Sequence, residues 1–115
     1  MKKKICVIGA GRWGQNHIKT LAQLGCLADI VEENHDKVKE LMNTYPDIRF
    51  CGSLDNAINA RYDGYVVATP AETHYAIGKK ILENGLHVLI EKPMTLRADD
   101  ALDLVKTAKI TGATL

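Results

Sequence analysis

Three glycines at fixed spacing, Gly9-Ala10-Gly11-Arg12-Trp13-Gly14, constrain this chain more than any other feature. They directly follow Lys4 to Ile8, an apolar and β-branched run that reads as a buried strand. They open a stretch from Arg12 to Leu24 in which Ile18, Leu21, Ala22 and Leu24 form a helical stripe, with Gly25 at the C-cap position. The chain must therefore turn from strand to helix inside the glycine run. Gly9 permits the tight turn, Gly11 keeps a Cβ out of the space above the loop, and Gly14 lets the helix lie close on the strand. A glycine turn that only packs a helix on a sheet is the competing reading. The position of the run, between strand and helix near the N-terminus, argues against it.

The alternation continues along the chain. Leu27 to Val31 reads as a second strand. Lys37 to Tyr45 carries Val38, Leu41 and Met42 on one helical face and is ended by Pro46. Ile48 to Cys51 is a weaker strand candidate, and Ser53 is placed to N-cap a brief helix through Ala57 and Ile58. Tyr65 to Ala68 is a third buried strand. Thr69-Pro70-Ala71-Glu72 after it has the form of a capping box with proline at the first helical position, leading a helix to Asn84 that Gly85 closes. His87 to Ile90 reads as another strand and Leu96 to Thr111 as the last helix. Ala113-Thr114-Leu115 has the character of a further strand cut short, so the chain is expected to be truncated. Repeated strand-helix units predict an α/β fold, a doubly wound Rossmann parallel sheet with helices on both faces.

Composition sets the limits. At 115 residues the chain has room for one domain, 1–115, and 46% hydrophobic content is enough for one real core. A net charge of +1 predicts no general attraction to nucleic acid or anionic membrane. No apolar run approaches membrane-spanning length, and Cys6-Val7-Ile8 is too short for a signal-peptide core, so the cytoplasm is the expected location. Cys6, Cys26 and Cys51 are odd in number and widely spaced, which predicts three buried, reduced thiols. No His, Asp or Glu grouping has metal-ligand spacing, so no metal is expected.

Backbone N–H groups exposed by the glycine loop, together with the positive end of the following helix, make a site for a pyrophosphate. Arg12 reads equally as a phosphate contact or a solvated arginine, and Trp13 more as a packing residue than a stacking one. A dinucleotide site also expects an acid about 20 residues on, at the end of the second strand, to accept from the ribose hydroxyls. Glu32 stands there, with Glu33 as the close competitor. An acid repels a 2′-phosphate, which favours NAD over NADP. His35 would weaken that preference if protonated. Another adenosine ligand, such as S-adenosylmethionine, is disfavoured by the intact third glycine.

A second constellation comprises Val66-Val67-Ala68-Thr69-Pro70 with His74, and then Gly85-Leu86-His87-Val88-Leu89-Ile90-Glu91-Lys92-Pro93. With the glycine loop, these segments resemble the oxidoreductase family of glucose–fructose oxidoreductase and inositol dehydrogenase (Gfo/Idh/MocA), over essentially the whole chain. Glu-Lys-Pro closing a Rossmann strand is the most specific part of the likeness. The resemblance implies an NAD-dependent dehydrogenase acting on a sugar or nucleotide-sugar hydroxyl, with Lys92 catalytic or substrate-positioning. It adds Ala68, Thr69, Pro70, His74, Glu91 and Lys92 to Gly9, Gly11, Arg12, Trp13, Gly14 and Glu32 as candidate cofactor contacts. Physical expectation agrees for Thr69 and Lys92, since open α/β sheets bind ligands at the carboxyl ends of their strands. Glu91 is expected to face the other way along its strand. His74 reads equally as a structural histidine or a cofactor contact, and His17 and His87 as packing or surface residues. Relatives that resemble this segment carry a cis bond before the proline, so Lys92–Pro93 is expected to be cis. The resemblance further implies a second domain, absent from this chain, that supplies substrate contacts, another histidine and a homo-oligomer interface. The Trp13-Gly14-Gln15-Asn16 segment is similar to members acting on nucleotide sugars. The alternative is a non-catalytic dinucleotide-binding or sensing module, which has no need of an amine at Lys92.

Overall fold

Four short strands pair side by side, all parallel, in the order β2-β1-β3-β4: β1 is Ile5–Ile8, β2 Leu27–Val31, β3 Gly64–Val67 and β4 Val88–Ile90. The computed structural model describes residues 2–115. Each pair of successive strands is joined by a helical crossover, as parallel pairing demands. The helices are α1 (Arg12–Leu24), α2 (His35–Thr44), α3 (Leu54–Asn59), α4 (His74–Glu83) and α5 (Ala98–Thr111).

Alternating side chains of the central strands build two cores. Val7 and Val66 face one side and pack with Ile18 of α1 and Leu41 of α2. Cys6, Ile8, Tyr65 and Val67 face the other and pack with Ala57 and Ile58 of α3, Ile81 and Leu82 of α4, and Leu104 and Ala108 of α5. The doubly wound Rossmann architecture is thus present, and the near-continuous apolar reading of β1 and β3 follows from burial on both faces. The chain leaves β1 towards β2 and later returns on the opposite side of β1 as β3. The crevice between β1 and β3, at their carboxyl ends, is the switch point where such sheets receive ligands.

Several local expectations differ from what forms. The capping box at Thr69-Pro70-Ala71-Glu72 does not close. Ala71–Thr73 is a 3₁₀ turn, Glu72 is exposed, and α4 begins only at His74. Thr69 Oγ1 pairs instead with Thr73 Oγ1 at 2.6 Å. The region 48–51 makes one parallel bridge, Asp29 to Arg49, rather than a strand. Helix α2 starts two residues before the expected Lys37, because the Asn34 side chain accepts from the N–H groups of Asp36 and Lys37. Ser53 caps α3 as expected, accepting from Asn56 N–H. The last helix starts at Ala98, leaving Leu96 exposed in the preceding segment. Of the three free cysteines only Cys6 is fully buried, while Cys26 and Cys51 are partly exposed. Thr114 lies against the outer edge of β4, its carbonyl accepting from Val88 N–H at 3.0 Å.

Candidate functional site: a crevice at the switch point

A crevice of about 1040 Å³ opens where the loops after β1, β2 and β3 converge. Gly9, Gly11, Arg12, Trp13, Glu32, Ala68, Thr69 and Pro70 line it, eight of the residues expected from sequence. Gly14, His74, Glu91 and Lys92 do not line it.

The three glycines have separable roles. Gly9 has φ +95°, and a Cβ there would meet the Ala68 carbonyl oxygen at 2.8 Å. The β1 and β3 loops therefore close on one another only because Gly9 lacks a side chain. A Cβ on Gly14 would fall 1.9 Å from the Gly9 carbonyl oxygen, so this glycine seats α1 against the turn. Gly11 differs: φ is −72°, and a Cβ would meet nothing within 4 Å. The fold does not itself require glycine there. The space that Gly11 keeps open lies over the start of α1, which has no side-chain cap and no acid in its first turn. Helices α2 and α3, by contrast, cap themselves with Asn34 and Ser53. Uncapped N–H groups below an open cradle suit an anionic group such as a pyrophosphate.

Glu32 follows β2 at the crevice wall. Its Oε1 accepts from Ala10 N–H at 2.8 Å and its Oε2 from Asn34 N–H at 2.9 Å. Partial burial opposes ionisation, but the backbone hydrogen bonds from Asn34 and Ala10, with Lys37 nearby, outweigh it and hold the carboxyl below the ordinary glutamate range. A carboxylate offers about four acceptor sites, so two remain for ribose hydroxyls. Glu33 also borders the crevice but is exposed.

Three of these candidates belong to α4 and to the segment after β4. His74, the first residue of α4, is 2% exposed. Its Nε2 is 2.8 Å from the Thr69 carbonyl oxygen and its Nδ1 2.8 Å from that of Pro93. Both nitrogens face backbone, so the ring spans from the crevice rim to the segment after β4. Glu91 points to α1, where His17 Nε2 is 2.7 Å from its Oε1. This hydrogen bond, then the charge of His17, hold the Glu91 carboxyl below its ordinary range. Lys92 is exposed, and the Lys92–Pro93 bond is cis, as expected.

Sequence reasoning missed part of the wall. Gly52, Ser53 and Leu54 border the crevice, as do Asn34, Lys37, Thr73 and Ile77. Gly52 has φ +87°, a turn that carries the chain from the Arg49 bridge to the crevice. The signals available were the Ser53 and Asn34 caps, which mark where loops meet helices at the strand ends. His17 has no local signal of a role in the sequence, because its partner Glu91 lies 74 positions away. Among the described residues no group of three or more His, Cys, Asp or Glu side chains is arranged to hold a metal ion. Nor, among the described residues, is any helix long and apolar enough to cross a membrane.

The geometry has close counterparts. UDP-N-acetylglucosamine 3-dehydrogenase of Acidithiobacillus ferrooxidans is 34% identical over 103 residues, covering 90% of this chain and 32% of the relative. Its solved structure superposes with a TM-score of 0.91 at 30% identity, over 100% of this chain and 37% of that one. Inositol 2-dehydrogenase of Rhodococcus jostii is 29% identical across 97% of this chain and 32% of its own length. The WlbA dehydrogenase of Bordetella pertussis, solved in complex with NADH and UDP-GlcNAcA, superposes with a TM-score of 0.87 at 29% identity, over 98% of this chain and 36% of that one. The chain spans about a third of the length of the curated relatives it matches. Residues 3–115 match the family model described as oxidoreductase family, NAD-binding Rossmann fold. With the glycine cradle, the acid after β2 and the parallel sheet in place, the chain belongs to that Gfo/Idh/MocA oxidoreductase family, as its NAD-binding Rossmann domain.

Proposed function

We propose that this chain is the cofactor-binding domain of an NAD-dependent dehydrogenase acting on a sugar or nucleotide-sugar hydroxyl. The observation that carries the reading is the cradle over Gly11: an open volume above an uncapped helix start, with Glu32 at one wall and the β3 loop at the other. Gly11 and the first-turn N–H groups of α1 hold the pyrophosphate, Glu32 accepts from the adenosine ribose, and Arg12 reaches a phosphate. Trp13, 59% exposed at the rim, covers the bound cofactor. Ala68, Thr69 and Pro70 form the wall leading towards the segment that bears Lys92. Bound NAD supplies the hydride acceptor or donor for the alcohol–carbonyl interconversion. Lys92 hydrogen-bonds the substrate hydroxyl, holds it in line and exchanges its proton.

The similarity to the UDP-N-acetylglucosamine and inositol dehydrogenases supports the substrate class. A second domain would complete the substrate site and a homo-oligomer interface, and the cytoplasm is the proposed compartment. Calorimetric titration of NADH into this chain tests the reading, with Trp13 fluorescence as an independent monitor, since it is the sole tryptophan. Saturable binding that Gly11→Val abolishes, without loss of the fold, is the expected result. Absence of binding in a folded chain would reject it.

A further inference from the structure

Beyond β4 the last sheet bond is that from Glu91 N–H to the Val67 carbonyl, at 3.0 Å. Lys92 comes next, in the exposed segment that runs to α5. The amine stands on a flexible four-carbon stem, so the backbone beneath it sets where that stem begins and the volume the amine can reach. The two residues that flank Lys92 are each held by a histidine from a different helix, Glu91 by its side chain and Pro93 by its carbonyl. His17 of α1 binds the Glu91 carboxylate at 2.7 Å. His74 of α4 stands 2.8 Å from the Pro93 carbonyl and 2.8 Å from that of Thr69.

We infer that His17 and His74 are positioning residues for Lys92, His17 acting through the Glu91 side chain and His74 through the Pro93 carbonyl. The inference rests on the reading of Lys92 given above. A histidine serving only its own helix would bond within it. These two reach across 74 and 19 positions, to the two residues that flank one lysine. His74 is buried, and both of its nitrogens are directed at carbonyl oxygens, so neither is left for substrate or cofactor. A ring protonated on both nitrogens donates to both carbonyls, and a neutral ring to one. His17 joins Lys92 to the helix whose start forms the phosphate cradle, and His74 joins it to the β3 loop of the crevice rim. Cofactor seating and the aim of the amine thus share two side-chain links.

The test uses this chain with NAD and ADP-ribose as probes, the second lacking the nicotinamide. In His17→Ala, the amide resonances of Lys92, Met94 and Thr95 are expected to shift while those of Val7 and Val66 stay in place. The ratio of NAD to ADP-ribose affinity should fall at least fivefold, with ADP-ribose affinity itself within twofold. His17→Gln, whose amide can still donate to Glu91, should restore both. Adding His17→Ala to Glu91→Ala should change nothing further, because one acts through the other. For the buried arm, nuclear Overhauser contacts from the His74 ring to Pro93 in the unaltered chain are expected, and His74→Gln should move the same three amides. Unmoved amides in His17→Ala, additive effects of the pair, missing ring contacts to Pro93, or shifts spread through β1 and β3 would each overturn the inference. Moved amides with an unchanged affinity ratio would uphold the two links and reject the placement of Lys92 beside the cofactor.

Discussion

Glu32 Oε1 accepts a hydrogen bond from the Ala10 backbone N–H at 2.8 Å, joining the end of β2 to the middle of the glycine loop. One carboxylate therefore shapes the glycine loop and borders the crevice, where the proposed function has it accept from a ribose. Replacing Glu32 should harm cofactor selection and loop geometry together. Calorimetry is expected to give tighter binding of NADH than NADPH. Glu32→Ala should weaken NADH by roughly tenfold or more, the scale of a lost charge-assisted hydrogen bond, and narrow the gap between the two cofactors. Equal affinities in the unaltered chain would reject Glu32 as the discriminating acid.

The glycines should separate binding from folding. Gly11→Ala has room for its methyl group and a φ that any residue adopts. Its melting temperature should stay close to that of the parent, within about 1 kcal/mol of stability, while NADH affinity falls. In Gly14→Ala the new Cβ meets the Gly9 carbonyl oxygen, and a backbone atom cannot swing aside. Destabilisation of about 1–3 kcal/mol or more is expected from that overpacking. Denaturant unfolding of the two variants side by side checks both, and a reversed order of stability would contradict these roles.

Acid should destabilise the fold through Glu32 and Glu91, both held below the ordinary glutamate range. For Glu32 partial burial works against this, and the N–H donors of Asn34 and Ala10 prevail. For Glu91 the His17 hydrogen bond leads. In each case the unfolded chain binds protons more readily than the folded one. The stabilisation is therefore complete above the unfolded-state value near pH 4.3 and lost as pH falls through the lower folded value. Urea titrations at several pH values should show Glu32→Gln flattening the acid limb. A slope identical to the parent's would mean that this carboxylate is not linked to folding.

Asp29 in β2 is fully buried, with Oδ1 accepting from Cys51 N–H at 3.1 Å and Oδ2 from the Tyr62 hydroxyl at 2.7 Å. The first of these bonds fixes the turn that brings Gly52 and Ser53 to the crevice. Tyr62→Phe would leave one buried carboxylate oxygen without its partner, at a cost of about 1–3 kcal/mol. The same cluster protects a thiol: burial, then a hydrogen bond with Asp29, pushes Cys51 up to about 11. Cys51 should alkylate slowly at neutral pH. Rapid modification of Cys51 at pH 7, or full stability in Tyr62→Phe, would show that the cluster is not closed in solution.

The order of strands and helices, the glycine turn and the two buried faces of β1 and β3 were legible in the sequence. Each is a local matter: side chains alternate along a strand, recur every third or fourth residue on a helix, and glycine marks backbone that no Cβ permits. The position of Glu32 at the crevice wall was also legible, because it stands at the end of the second strand, about 20 residues after the glycine loop. Where two distant segments meet, the sequence carries no such period. It did not reveal that His17 holds Glu91, that His74 spends both ring nitrogens on carbonyls of two loops, or that Asp29 sits inside the core. The Thr69–Glu72 pattern was misleading for the same reason. The local capping preference is worth about 1 kcal/mol, and here the geometry that brings His74 between Thr69 and Pro93 accompanies a 3₁₀ turn instead. Local chemistry decided which elements exist, and long-range contacts decided which side chains meet, at Glu91, at Pro93 and at Asp29.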